Sequence, residues 1–144
     1  VTVEPPKTYD FGLLELGIST IVPSAVLVTN SGNVNEKYSI KCATITTDGP
    51  PWTMGNNPAM DTFTLKSAFH PTKPTAGGFG ADDITYSTNT ISNDSAHSID
   101  GSQVGYNVPP GVSNRNLWIL LDTPLDTSTT VQQKIRVDIT ADEQ

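Results

Sequence analysis

Cysteine is the first scarcity. Cys42 is the only one in 144 residues, so no intrachain disulfide can form and the fold must be held by its own core. Basic residues come next: 8 Lys and Arg against 15 Asp and Glu give a formal net charge of −7. They are scattered, so no basic stripe exists to neutralise phosphates, and nucleic acid is not an expected partner. Histidine occurs twice, as His70 in AFHPTKP and His97 in DSAHSID. Neither setting carries a nucleophile elbow or a His-Glu-x-x-His spacing, and two isolated imidazoles fall short of the three or four ligands of a zinc site. The chain is therefore not expected to be an enzyme or to hold a cofactor. No apolar run approaches the roughly 18 residues of a membrane span. The opening VTVEPP has no basic start, apolar stretch or small-residue cleavage site, as in a secreted chain whose leader has been removed or in an excised domain.

In place of charge, which accounts for 16% of residues against about 25% in ordinary soluble domains, the chain uses Thr, Ser and Asn. Such surfaces are common outside cells, and an extracellular or cell-surface location is expected. The length suits one domain over residues 1–144. Helix signals are nearly absent, while turn dipeptides and β-branched runs recur along the chain, which is an all-β pattern. KTYDFG reads as a short strand ending at Gly12. STIVPSAVLVTN reads as a second strand with Val22, Val26 and Val28 on one face and Pro23 marking an edge or bulge. NSGN supplies a turn whose Asn30, Gly32 and Asn33 can take left-handed conformations at little steric cost.

The third strand, EKYSIKCATIT, has the cleanest alternation. Tyr38, Ile40 and Cys42 fall on one face and Lys37, Ser39 and Lys41 on the other, so Cys42 is expected to be a buried structural thiol. DTFTLKSAFH follows, with Phe63, Leu65 and Phe69 inward. Residues 71–110 read as a long Gly/Pro-rich insertion with only ITYS and VGYNV as strand candidates. RNLWILLDT is apolar on both faces, as in a central strand covered on both sides or one lying under a loop. VQQKIRVDITA closes the chain with Val131, Ile135, Val137 and Ile139 as inward candidates and Lys134, Arg136 and Asp138 outward. Seven to nine short strands at this spacing are the sequence form of a β-sandwich of immunoglobulin-like type.

YDFGLLELG (9–17) followed by AVLVTNSGNVNEKYSI (25–40) resembles the opening of immunoglobulin-like domains of the Hydin type and related bacterial secreted repeats. The resemblance covers about the first third of the chain. It implies that Phe11 packs into the core and that Gly12 permits the bend after it. The last third is similar to closing strands of bacterial surface proteins. The insertion has no counterpart in those short repeats, which favours a stand-alone subunit over a repeat module.

Several residues are candidates for function. Asp82, Asp83, Asp94 and Asp100 supply oxygen ligands in loops, and Asp82, Asp83 and Asp100 are weak calcium candidates; the alternating Asp-x-Asp-x-Asp-Gly pattern is missing, so turn-forming roles are favoured. Asn93 in NDS matches a glycosylation acceptor. Trp52, Phe79, Tyr86 and Tyr106 are candidates for a sugar-stacking surface. Trp118, between Leu117 and Ile119, must be covered by a loop or by a neighbouring subunit.

The leading expectation is a structural subunit of an extracellular filament, tube or surface layer, a homopolymer joined through an edge strand or terminal segment. Val1, Val3, Pro5, Pro6 and Trp118 are its candidate contacts. Pairing of the opening residues within their own sheet is the competing reading. The alternative function is a cell-surface adhesin or carbohydrate-binding module that takes glycans through the 71–110 loops. A chaperone-like immunoglobulin domain is a third, and needs an edge able to accept a client strand.

Overall fold

The computed structural model describes residues 2–3, 8–45, 49–92, 103–111 and 114–144. Nine strands are described: β1 (Thr2–Val3), β2 (Ser19–Ile21), β3 (Val26–Thr29), β4 (Glu36–Ile45), β5 (Thr53–Met54), β6 (Thr62–Phe69), β7 (Thr90–Ile91), β8 (Asn114–Asp122) and β9 (Lys134–Glu143). They build two sheets that pack as a sandwich. The larger has the order β1-β3-β8-β6-β5, with β2 also paired to β8; the smaller is β7-β4-β9. All pairs are antiparallel except β5 with β6.

Alternation places the core. Tyr38, Ile40 and Cys42 of β4 are buried, and the Tyr38 ring lies 5.9 Å from that of Phe69 on β6, across the sandwich. Phe69 pairs with Leu117 of β8, so Leu117 shares the face turned toward the smaller sheet and the next residue, Trp118, points the other way. Both faces of β8 are covered: Leu117, Trp118, Ile119, Leu120 and Leu121 are all buried. The Trp118 indole N–H donates to the His70 carbonyl at 2.9 Å, and the buried Phe79 belongs to the same core cluster. β8 is thus the central strand expected from its uniformly apolar run.

Two local expectations are corrected. Residues 8–12 form no strand, because the Asp10 carboxylate accepts the Gly12 N–H at 2.8 Å and closes a turn, with Gly12 at φ 64°. Phe11 does pack partly buried against the core. The second strand divides into β2 and β3 around Pro23, which has no N–H to offer; the two pieces lie end to end on β8, with Val22, Val26 and Val28 buried.

In the NSGN turn none of Asn30, Gly32 and Asn33 is left-handed. The Asn30 side chain organises the turn instead. Its amide N–H groups donate to the carbonyls of Val34 (2.7 Å) and Val108 (2.9 Å), and its carbonyl accepts the Gly32 N–H at 2.9 Å.

The described part of 71–110 is largely exposed and irregular, as expected of an insertion, but short pieces of it pair with the sheets. Thr85 N–H donates to the Leu65 carbonyl and Ser67 N–H to the Asp83 carbonyl, so residues 83–85 line the outer edge of β6. One residue on, the Tyr86 carbonyl accepts the Cys42 N–H, and the chain has crossed to the smaller sheet. It then runs along β4 through β7, Gly105 and Val108. Ile84, Thr85, Ser92 and Val108 are buried there.

Candidate assembly surface

The candidate residues separate by burial. Trp118 is 7% exposed and Phe79 5%, so neither offers a surface; the Trp118 indole is held by the His70 carbonyl, and Phe79 lies in the loop that follows β6. Trp52 is half-buried against the core, with its indole N–H donating to Thr127 Oγ1 at 2.9 Å and its backbone N–H to Gln133 Oε1 at 2.7 Å. Tyr86 and Tyr106 are exposed, at 37% and 41%. Tyr86 sits beside Cys42, and Tyr106 follows Gly105, which sits beside Tyr38. At about 3.3 Å per residue these places are roughly 13 Å apart along β4. The four aromatics therefore form no common stacking surface.

Among the acidic candidates, Asp82 is exposed and Asp83 is buried, with its Oδ2 accepting the Gly80 N–H at 2.8 Å. Among the described residues no three His, Cys, Asp or Glu side chains converge on a metal position. Asp100, Asp94, Asn93 and His97 lie outside the described residues, as do Val1, Pro5 and Pro6. Val3 pairs with Val28 in its own sheet, next to Thr2 with Thr29.

Cys42 is buried as expected, and burial pushes its thiol up to about 11. Its Sγ lies 3.2 Å from the Thr85 carbonyl and 3.1 Å from Met54 Sδ, at an open cleft of about 340 Å³ lined also by Ala43, Thr44, Thr53 and Ser87. None of these lining side chains is charged at neutral pH. Burial also pushes Tyr38 up to about 12, with the neighbouring Glu36 charge adding to the rise and Arg115 opposing it.

The surface that stands out is the outer edge of β9, and the hydrogen-bond parity of β4 defines it. The N–H groups of Glu36, Tyr38 and Cys42 donate to the carbonyls of Val108, Gly105 and Tyr86, all away from β9. In an antiparallel ladder successive residues turn their main-chain groups to opposite sides. The odd-numbered residues of β4 therefore bond to β9, opposite Lys134, Arg136, Asp138, Thr140 and Asp142. The Gln144 N–H donating to the Asn35 carbonyl at 3.0 Å continues the same parity.

The alternate residues of β9, Ile135, Val137, Ile139, Ala141 and Glu143, turn their N–H and C=O groups outward. Among the described residues no strand pairs with that side. The register from Ile45 with Lys134 to Glu36 with Glu143 has no skipped residue, and β9 contains no proline. The result is a regular edge about 30 Å long. Ile135, Val137, Ile139 and Ala141 pack half-buried on the core side, while the other face carries Lys134 and an Arg136–Asp138 ion pair at 3.0 Å. Sequence reading assigned Ile135, Val137 and Ile139 inward and Lys134, Arg136 and Asp138 outward correctly, while Val131, also read as inward, precedes the strand; the open edge emerges only once the pairing order is known.

Comparison with protein-family models, curated proteins and solved structures finds no match to this chain.

Proposed function

We propose that this protein is a non-catalytic structural subunit of an extracellular assembly, such as a filament, tube or surface layer, whose subunits join along sheet edges. The β9 edge, open among the described residues, carries the reading. A long, regular edge with unpaired main-chain groups is a template for another strand, and natural proteins that stay monomeric blunt such edges with bulges, prolines or short strands. β9 has none of these devices, although charged side chains on its outer face limit indiscriminate pairing.

The strand order supports an immunoglobulin-like relationship. β1, β2 with β3, β8 and β6 follow the order A, B, E, D, and β4 with β9 corresponds to C and F. The place of strand G then falls on the open side of β9. The low-charge, Thr/Ser/Asn-rich composition supports the extracellular location. A second contact through the opening segment would exchange β1, which here pairs with β3 of its own chain.

Light scattering and electron microscopy over a concentration series test the reading. Concentration-dependent oligomers or regular polymers are expected. A monodisperse monomer at every concentration overturns it.

A further inference from the structure

We propose that the occupant of the β9 edge is β9 of a second copy, antiparallel about a two-fold axis at Val137, so that two three-stranded sheets fuse into one sheet of six strands. The inference rests on the assembly reading above and names its partner and register.

Charge sets the direction. β9 begins basic, with Lys134 and Arg136, and ends acidic, with Asp138, Asp142 and Glu143. A parallel copy would set like charges side by side; an antiparallel copy lays the basic start against the acidic end. A two-fold isologous contact is also the commonest way for identical chains to meet.

Parity and side chains then set the register. Only Ile135, Val137, Ile139, Ala141 and Glu143 turn their main chain outward, so each must meet another of this set. That requires the axis to pass through a residue. An axis at Arg136 or Asp138 puts that charge against its own copy. One at Ile135 sets Lys134 against Arg136, one at Thr140 sets Asp138 against Asp142, and one further along overlaps only the acidic end.

Val137 and Ile139 remain. An axis at Ile139 places Ile135 opposite Glu143 of the second copy. An axis at Val137 places Ile135 opposite Ile139 twice and Val137 opposite itself, extending the half-buried aliphatic row without a break. On the other face it sets Arg136 opposite Asp138 twice. The existing ion pair becomes an alternating square of two arginines and two aspartates, with Lys41 of each chain opposite Asp138 on the inner side.

The test uses the full chain. In this register Lys134 and Thr140 of the second copy form a non-hydrogen-bonded pair, with Cα atoms about 4.5 Å apart, within reach of a disulfide. Lys134→Cys mixed with Thr140→Cys should give a linked dimer under mild oxidation, and neither variant alone should do so. Asp138→Cys mixed with Thr140→Cys reports the Ile139 register instead. Amide exchange followed at high and low concentration reads the edge directly. The Val137 and Ile139 amides should be protected only when concentrated, while those of Arg136, Asp138 and Thr140 should be protected throughout.

Val137→Pro removes an outward N–H for which the described residues of the monomer offer no strand partner, and should weaken the dimer at least about tenfold through its central hydrogen bonds. Protection of the outward amides with linkage only in the Ile139 mixture overturns the register and keeps edge pairing. Oligomers whose outward amides exchange freely overturn the β9 edge but not assembly. Absence of any association overturns both.

Discussion

Truncating the side-chain amide of Asn30 would remove three hydrogen bonds at once: those to the carbonyls of Val34 and Val108, the latter keeping the Glu36 N–H, and that from the N–H of Gly32. Asn30 is fully buried, as is Val108, whereas Gly32 and Val34 are exposed and water can take over part of what they lose. At roughly 1 kcal/mol per bond, and less where water reaches Gly32 and Val34, Asn30→Ala should cost about 2 kcal/mol, read as a shift of the urea unfolding midpoint with unchanged slope. A loss under about 0.5 kcal/mol would mean that the turn closes without it. Asp61 plays a comparable part at the other end of the sandwich. It holds φ 51° and accepts from Ser128 Oγ (2.5 Å), the Ser128 N–H (2.7 Å) and Thr127 Oγ1 (2.9 Å).

The Ser128 hydroxyl, then its N–H, hold the Asp61 carboxyl below its ordinary value. Because the folded-state value is depressed, the stabilisation is present above the unfolded carboxylate range near pH 4 and is lost as pH falls through the folded value. Asp61→Asn should therefore destabilise the protein at pH 7, and the gap from the parent should close as unfolding is measured toward pH 2. A gap independent of pH would assign the loss to geometry alone.

β4, β6, β8 and β9 were legible in the sequence because each is long enough for alternation, or for its full suppression in β8, to mark its faces. β5 and β7 were not, since two residues of backbone pairing leave no periodic trace. Residues 71–110 were legible in part, since the strand candidates ITYS and VGYNV do contain residues that bond to β6 and β4. Their Gly, Pro and Ser content signals loops, yet in the folded chain isolated backbone bonds at Thr85, Tyr86, Gly105 and Val108 seal the edges of β6 and β4. Residue type alone cannot tell the buried Phe79 from the exposed Tyr106.

Cys42, placed inward by alternation in β4, yields a test of that element. With the thiol at about 11 against 9.0 for a free cysteine, its ionised fraction near pH 8 is about a hundredfold below that of the unfolded chain. A thiol reagent should therefore modify the native protein at least about a hundredfold more slowly than the denatured one. Rapid native labelling would show that β4 opens at the cleft beside Met54.

For the whole molecule, net charge and local charge act in opposite directions on assembly. Each copy carries −7, and two such bodies about 30 Å apart, twice the radius of gyration of a chain this size, repel by roughly 7 kcal/mol in unscreened water. The two Arg136–Asp138 pairs across the axis lie on an exposed face, where each contributes only about 0.2–1 kcal/mol. Salt should therefore strengthen the dimer at first, as the Debye length shrinks from about 30 Å at 10 mM to about 8 Å at 150 mM and the long-range repulsion is screened. Beyond that point the main-chain bonds of the edge and the aliphatic row of Ile135, Val137 and Ile139 dominate, and neither is sensitive to screening. Sedimentation equilibrium across this range should show the dissociation constant falling by more than about tenfold and then levelling. A dissociation constant that rises steadily with salt would mean that ion pairs, and not the strand edge, hold the copies together.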